Sequence, residues 1–579
     1  MHLRTFINTL HGSPATDYII SVGPLPAGSR REGDRCLVIY EPTPQHILKI
    51  KDIPAAELGT GISLHIDSAT YQVHSRNVKV LQGFLAYWFM KYIWLPLHSL
   101  QIPDHLGVRK ETKEDFIHEI NKLKNQDLLL THPLADKIQK AGKGFPAILL
   151  MPGPSLSTIS GKLKALAEKA IVICISRTVG FALQEGVEPD LVIQLDCHCL
   201  QQRLFPEQHF KDATLLSLSL APISGFAQNF RQVFFTDSFD LEVLPNTYRP
   251  RESWLSTFLL CLGAAETLEL ESLYVFGSDL SYQSKDACYY NTHDGTVDSS
   301  THVEQEFITA IKNGEFTTCD INNNPVSTTL QYFATAFEAE MFAQEIMQTA
   351  GTRFYNATNA GILSPEMFMP VNENHILQRP SINRERFRKR LNAMANHREA
   401  INYNLLKYKI QLRIQQLREA LKVVREVAPS SHPEERYPLF QIVHELTLDN
   451  PGVMSSEGRA QFTCGLLDVW LTEAKRALNI VTLHQQATEA PVTLLCCPEE
   501  FADCAEPILK MHPNWQIAPL AVTDIFTPPA AFPSVPFHRL HVDAVEGKPV
   551  VLISRALLDR YGYLIKAMPS DNILEYPVK

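Results

Sequence analysis

The sequence predicts an α/β protein built on a parallel sheet, and three observations carry that expectation. Short apolar runs at residues 147–151, 170–175 and 191–195 alternate with helix-length segments. Runs of the same kind recur at 214–220, 232–236, 273–277 and 353–356, with helix-like segments at 254–269 and 328–348. Several of these runs break into polar or glycine-containing loops, such as Pro152-Gly153-Pro154-Ser155-Leu156 after the first and Asp196 after the third. Parallel α/β sheets bind ligands beyond the carboxyl ends of their strands, so that loop and that carboxylate are predicted to overlook one crevice.

Around this centre the 579 residues are too many for a single core and divide into four predicted regions. Residues 1–125 carry strand-like runs at 18–22 and 36–40 and read as a small α/β domain. Gly23 to Gly28 has too few glycines for a dinucleotide fingerprint. Residues 126–375 hold the sustained α/β pattern. Residues 376–488 read as helical: 384–427 contain neither proline nor glycine and repeat apolar residues at helical spacing, predicting one long helix. Its basic start, Arg384, Arg386, Arg388, Lys389 and Arg390, is expected to form a solvated helix face. From about 489 to 579 apolar runs at 492–496, 515–519 and 550–553 indicate a second small α/β domain.

Composition narrows the function classes. A hydrophobic content of 45% with 20% charged residues describes a globular chain rather than a disordered one. The net charge of −10 argues against nucleic acid or an anionic membrane as a global partner. Residues 80–97 are apolar but include Gln82, Lys91 and Pro96, which fits a buried helix and no stable membrane insertion. The eleven cysteines are scattered, several within apolar runs, and Met1-His2-Leu3-Arg4-Thr5 opens no signal-peptide pattern. A reducing cytoplasm is the expected compartment.

Three loops contain residues suited to chemistry. In the first, Gly153 lets a phosphate approach the main chain, and Ser155 is placed to cap the following helix, whose amides and dipole favour an anion. The second, Gly277-Ser278-Asp279-Leu280, is followed by Tyr282, Tyr289, Tyr290 and His293, with hydroxyls for phosphate oxygens and an imidazole for proton transfer. The third, Asn356-Ala357-Thr358-Asn359-Ala360-Gly361, carries amides suited to a base or sugar. Asp196-Cys197-His198-Cys199 has ligand types for a metal, but adjacent residues cannot all wrap one tetrahedral ion, and no metal site is predicted. No Gly-x-Ser-x-Gly elbow, Walker loop or His-Glu-x-x-His is present, which disfavours serine hydrolases, P-loop kinases and zincins.

Taken in order, Gly153-Pro154-Ser155-Leu156, Gly186-Val187-Glu188-Pro189-Asp190 with Asp196, Gly277-Ser278-Asp279-Leu280 and Asn356-Ala357-Thr358 resemble the motility-associated factor (Maf) glycosyltransferases. In this chain Met151 and Pro152 stand where that family's loop usually begins with another glycine. The resemblance implies a Rossmann-like, sialyltransferase-type sheet in a multidomain α/β protein. It also implies transfer of a nonulosonic acid from a CMP-activated donor to serine or threonine of flagellin or another protein, with no tightly bound cofactor. On that basis Gly153, Pro154, Ser155, Asp196, Asn356 and Thr358 would line the nucleotide pocket. Asp279, Tyr282 and His293 would stand near the reacting sugar and acceptor, with Arg177 and Lys285 the nearest cations. A related branch implies the alternative of a hydroxymethylpterin pyrophosphokinase, which would need ATP, magnesium and clustered carboxylates such as Asp190, Asp196 and Asp279. A scaffold of the same fold without catalysis is the third reading.

Overall fold

The computed structural model describes residues 18–24, 36–43, 62–66, 68–89, 113–195, 209–236, 256–282, 317–395, 401–426 and 456–489, with five further strands between 492 and 575. The chain forms two compact units. The first comprises residues 1–112, 133–237 and 247–397, and the second 113–132, 238–246 and 398–579.

The first unit opens with a three-stranded parallel sheet, β1 (Tyr18–Val22), β2 (Cys36–Ile39) and β3 (Ile62–Ile66), in the order β2-β1-β3. Helix α1 (Ser68–Phe89) follows. Helices α2 (Lys113–Lys124) and α3 (Gln126–Thr131) belong to the second unit. The central sheet then begins at β4 (Pro146–Leu150) and continues through α4 (Leu163–Ala167), β5 (Ile171–Ile175), α5 (Val179–Gln184), β6 (Leu191–Gln194), β7 (Thr214–Ser217) and β8 (Gln232–Phe235). It resumes with α6 (Thr257–Leu268), β9 (Ser272–Phe276), the hairpin of β10 (Thr317–Cys319) and β11 (Pro325–Ser327), α7 (Leu330–Thr349), β12 (Arg353–Asn356), β13 (Met369–Pro370), α8 (Glu373–Leu377) and α9 (Arg384–Met394).

All eight central strands are parallel, in the order β13-β12-β9-β4-β5-β6-β7-β8. Every residue of β4, β5, β6 and β9 is buried, as expected where helices cover both faces and strands read as unbroken apolar runs. Helix α6 is apolar on nearly all sides and lies inside the core. Helix α1 packs on α7, where the Phe84 and Phe337 rings meet edge to face at 6.2 Å. Gly83 makes that approach possible: a Cβ there would fall 2.7 Å from the Phe337 ring. The apolar segment at 80–97 is thus in part a packed helix, and among the described residues no helix is long and apolar enough to cross a membrane.

The second unit contains α2, α3, α10 (Tyr403–Glu426) and α11 (Ser456–Glu489). It also contains a parallel sheet of β14 (Val492–Cys496), β15 (Ile517–Thr523), β16 (Ser534–Pro536), β17 (Val551–Ile553) and β18 (Ile573–Glu575), ordered β16-β15-β14-β17-β18. Trp470 of α11 is buried under Arg413 of α10, whose guanidinium lies 5.2 Å from the ring centroid and also pairs with Glu119 of α2 at 2.8 Å. His484 Nε2 lies 2.8 Å from Asp127 Oδ1, tying α11 to α3.

The predicted single helix over 384–427 is corrected to two, α9 and α10, in different units. Asn402 supplies the physical reason: its side chain accepts from Leu405 N at 3.1 Å and starts α10 as an N-cap. Asn383 does the same for α9 through Arg386 N. The basic start of α9 is a solvated face only in part: Arg386 and Lys389 are exposed, as expected, and Arg384, Arg388 and Arg390 are not. Arg384 and Arg388 reach the buried carboxylate of Asp190, and Arg390 donates to the carbonyls of Ala141 and Lys143 while lying over the Phe145 ring.

Candidate functional site

From β4 the chain steps outward through β5, β6, β7 and β8, then crosses back to place β9, β12 and β13 on the other side of β4. The loops leaving β4 and β9 therefore diverge from neighbouring strands, which makes this the topological switch point of the sheet. Both sequence motifs sit there. Met151, Pro152, Gly153, Pro154 and Ser155 follow β4, and Gly277, Ser278 and Asp279 follow β9.

The two loops are laced together. Met151 N donates to Phe276 O at 2.8 Å, and Gly153 N donates to Gly277 O at 2.7 Å. Ser155 then donates its amide to Asp279 Oδ2 at 2.9 Å and its hydroxyl to Asp279 Oδ1. The missing side chains of the glycines permit this contact. A Cβ on Gly153 would fall 2.3 Å from Gly277 O, and one on Gly277 would fall 2.1 Å from Met151 O. Gly277 also has φ +73°, which L side chains rarely adopt.

A third loop, after β12, closes over Asp279. Ile362 N donates to Asp279 O at 3.0 Å, and a Cβ on Gly361 would fall 2.3 Å from that same oxygen. Asn356, at the end of β12, turns its side chain into its own loop. Its Nδ2 donates to Ala360 O at 2.9 Å, while its Oδ1 accepts from the amide and hydroxyl of Thr358. Beneath the crevice, Thr178 after β5 donates to Leu150 O at 2.9 Å. Tyr282 forms an antiparallel bridge with Ser327 through its amide, and its ring stacks on Tyr332 with centroids 5.6 Å apart.

This geometry revises two roles drawn from the sequence. The helix after β4 is a short 3-10 segment, Pro154–Ile159, whose N-cap is Gly153 with Pro154 at the first helical position. Ser155 lies inside it, and its donors face Asp279 rather than an incoming anion. Gly153 serves loop-to-loop packing, since its open side faces the Gly277 carbonyl. Asp279 accepts both the amide and the hydroxyl of Ser155 at the start of this turn.

Electrostatics set Asp279 apart. It is 1% exposed, and burial pushes its carboxyl above the ordinary carboxylate range, opposed by the hydroxyl and amide of Ser155. Next to it, Ser278 is 6% exposed, and its hydroxyl has no hydrogen-bond partner among the described residues. Sequence reasoning placed Ser278 in a candidate loop without assigning it a role; position immediately after an apolar run and a glycine was the available signal. Elsewhere, burial pushes the Cys174 thiol up to about 12, consistent with a reduced cysteine packed as a small hydrophobe.

Not every predicted residue meets here. Asp196, His293, Tyr289, Tyr290 and Lys285 lie outside the described residues. Asp190 precedes β6 and so stands at the amino end of the sheet, opposite Asp279. It binds Val172 N at 2.8 Å, Arg384 Nε at 2.8 Å and Arg388 Nε at 2.7 Å, so it joins no carboxylate cluster with Asp279. Among the described residues no group of three His, Cys, Asp or Glu is arranged to hold a metal ion.

Fold and site together define a doubly wound α/β domain whose β4, β9 and β12 loops converge at its switch point. Residues 120–285 match the family model described as 6-hydroxymethylpterin diphosphokinase MptE-like, a segment that runs through β4 to β9 and includes both switch-point loops. Three of the segments that carry the Maf-like resemblance, at 153–156, 186–190 and 277–280, fall within that match, and Asn356-Ala357-Thr358 falls outside it. The chain is also similar to the solved structure of a MAf glycosyltransferase from Magnetospirillum magneticum AMB-1. The two share 14% identity and a TM-score of 0.40, over 78% of this chain and 70% of that one. Among curated proteins no match is found.

Proposed function

We propose that this protein is a glycosyltransferase that moves a nonulosonic acid from a CMP-activated donor to a serine or threonine of flagellin or another protein in the cytoplasm. The observation that carries the reading is the pairing of the β4 and β9 loops at the switch point, with Asp190 held at the opposite end of the sheet. A crevice at that position suits a nucleotide. In the proposed reaction the acceptor oxygen bonds to the anomeric carbon, and the bond from that carbon to the phosphate oxygen breaks. CMP leaves with the electron pair, and the acceptor proton passes to a base, for which His293 is the candidate. Arg177, half-buried after β5, is the candidate cation for the donor phosphate. Ser155 and Asp279 act as positioning residues that fix the two loops, and Gly153, Pro154, Asp196, Asn356 and Thr358 complete the proposed pocket.

A second reading, diphosphoryl transfer from ATP to a hydroxymethylpterin, is favoured by the family match over 120–285. That chemistry draws on carboxylates gathered around magnesium. Asp190 is committed to Arg384 and Arg388, and Asp279 to Ser155, at opposite strand ends. Calorimetric titration of the full chain with CMP and with magnesium-ATP separates the two. CMP is expected to bind. Absence of CMP binding, together with magnesium-dependent release of AMP from ATP and a hydroxymethylpterin, would replace the first reading with the second.

A further inference from the structure

Leu280 follows Asp279 in the loop after β9 and has φ +49°. In this left-handed conformation the leucine Cβ crowds the following carbonyl oxygen, a cost equivalent to a factor of roughly 5–30 in an equilibrium constant. At 277 and 361 the chain meets the same backbone demand with glycine. A leucine persists there only where its surroundings hold it, and such outliers gather at functional sites.

Contacts hold this segment on both sides of the strained residue. Asp279 O accepts from Ile362 N at 3.0 Å, and Tyr282 N donates to Ser327 O at 2.8 Å. Between them, Leu280 O accepts from Thr328 Oγ1 at 2.7 Å. Thr328 is 1% exposed and sits where β11 runs into α7. Its neighbour Thr329 caps that helix by accepting from Tyr332 N at 3.1 Å, so the hydroxyl is mounted on a fixed junction. If Leu280 left the left-handed region, the peptide groups on both of its sides would turn, and these carry Asp279 O and Leu280 O. We infer that Thr328 is a positioning residue. Its hydroxyl holds Leu280 in the left-handed conformation, and through that residue it keeps Asp279 docked on Ser155 and on the loop after β12.

The holding contact stands on geometry alone, whereas its use in nucleotide binding rests on the proposed function. A loop released from Thr328 spends part of its time outside the binding-competent form, and apparent affinity falls by that fraction. A glycine at 280 has no left-handed penalty and restores that form without the hydroxyl. An ordinary buried hydrogen bond predicts no such rescue.

The test compares the full chain as wild type, Thr328→Ser, Thr328→Val and Thr328→Val with Leu280→Gly. Hydrogen–deuterium exchange is followed without ligand, and CMP is titrated calorimetrically. Peptides containing Ser155 and Ile362 report on the loop, because their amides donate to Asp279. In Thr328→Val these peptides are expected to exchange about tenfold faster, while Thr328→Ser, which keeps the hydroxyl, exchanges as the wild type does. CMP binding by Thr328→Val is expected to weaken about tenfold, and adding Leu280→Gly to recover most of both losses. Unchanged exchange in Thr328→Val would overturn the inference, as would faster exchange that Leu280→Gly leaves uncorrected. Faster exchange spread equally through α6 would mark a general stabilising role and overturn it too. Faster exchange in the loop with unchanged CMP affinity would overturn its link to binding. If the wild type binds no CMP, the proposed function fails, and the exchange ratios still decide whether Thr328 holds Leu280.

Discussion

Two aspartates of the central sheet are equally hidden, Asp190 at 0% exposure and Asp279 at 1%, yet the protein holds them in opposite ways. Asp190, at the amino end, is clasped by the Nε atoms of Arg384 and Arg388, and Arg388 continues to Asp212 at 2.6 Å. Arg384 also donates to Glu188 O, and Glu188 receives the amides of Asp212 and Ala213. Burial works against the charge of Arg388, but Asp190 and then Asp212 outweigh it and hold the guanidinium pKa above its usual value. Asp279, at the carboxyl end, has hydroxyl and amide donors and no cation among the described residues. The amino end is an ion-paired clamp that fixes α9 to the sheet, whereas the carboxyl end buries a carboxyl whose pKa burial raises against the two Ser155 donors. Perturbed carboxyls of the second kind gather at functional sites.

The sharpest way to break this contrast is to remove the clamp. Asp190→Ala leaves two half-buried guanidiniums without their shared anion and deprives Val172 N of its acceptor. Loss of one partner from a buried ion pair costs about 3–5 kcal/mol, and the partial exposure of both arginines puts this case near about 3 kcal/mol. Urea unfolding of variant and wild type measures it. If the amino end is purely structural, CMP affinity of the folded variant stays at the wild-type value.

Gly277→Ala tests the other end, with a smaller effect on stability and a larger one on binding. The left-handed backbone alone costs an alanine about 1–2 kcal/mol, and the new Cβ meets the Met151 carbonyl, so a loss of about 2 kcal/mol is expected. Because the clash pushes apart the two loops that Ser155 and Asp279 join, CMP binding should fall below detection by calorimetry. Retained binding would mean that the crevice does not depend on the β4–β9 contact.

The contrast between the two ends also explains what could be read from the sequence. The strands were legible because a sheet covered on both faces writes itself as continuous apolar runs; the runs at 147–151 and 353–356 lie within a residue of β4 and β12. That the Gly-Pro-Ser and Gly-Ser-Asp loops belong to one crevice was legible from their positions at strand ends. What they do to each other was not, since Ser155 and Asp279 are 124 residues apart and nothing local encodes their bond. The α9 arginines misled for the same reason: alternating charge on a helix looks solvated until Asp190 is placed beneath it. The break between α9 and α10 did have a local signal in Asn402, masked by an apolar spacing that runs across it.

The smallest expected effect is the most specific to Asp279. Its folded-state pKa is raised, with burial the leading cause, so its protonated form is favoured in the folded chain relative to the unfolded one. That preference stabilises the fold at low pH, below the unfolded value of about 3.9, and fades as pH rises through the folded pKa. Asp279→Asn keeps an oxygen for the Ser155 amide and removes the titration. The variant's melting temperature relative to wild type should therefore climb as pH is raised from below the ordinary carboxylate range, and then level off above the folded pKa. The same substitution at Asp190 strips charge from between two arginines and should lower stability at neutral pH. Parallel pH–melting curves for Asp279→Asn and Asp190→Asn read both ends in one measurement. If the two curves shift in the same direction at neutral pH, the carboxyl end is a second clamp, and Asp279 loses its distinction from Asp190.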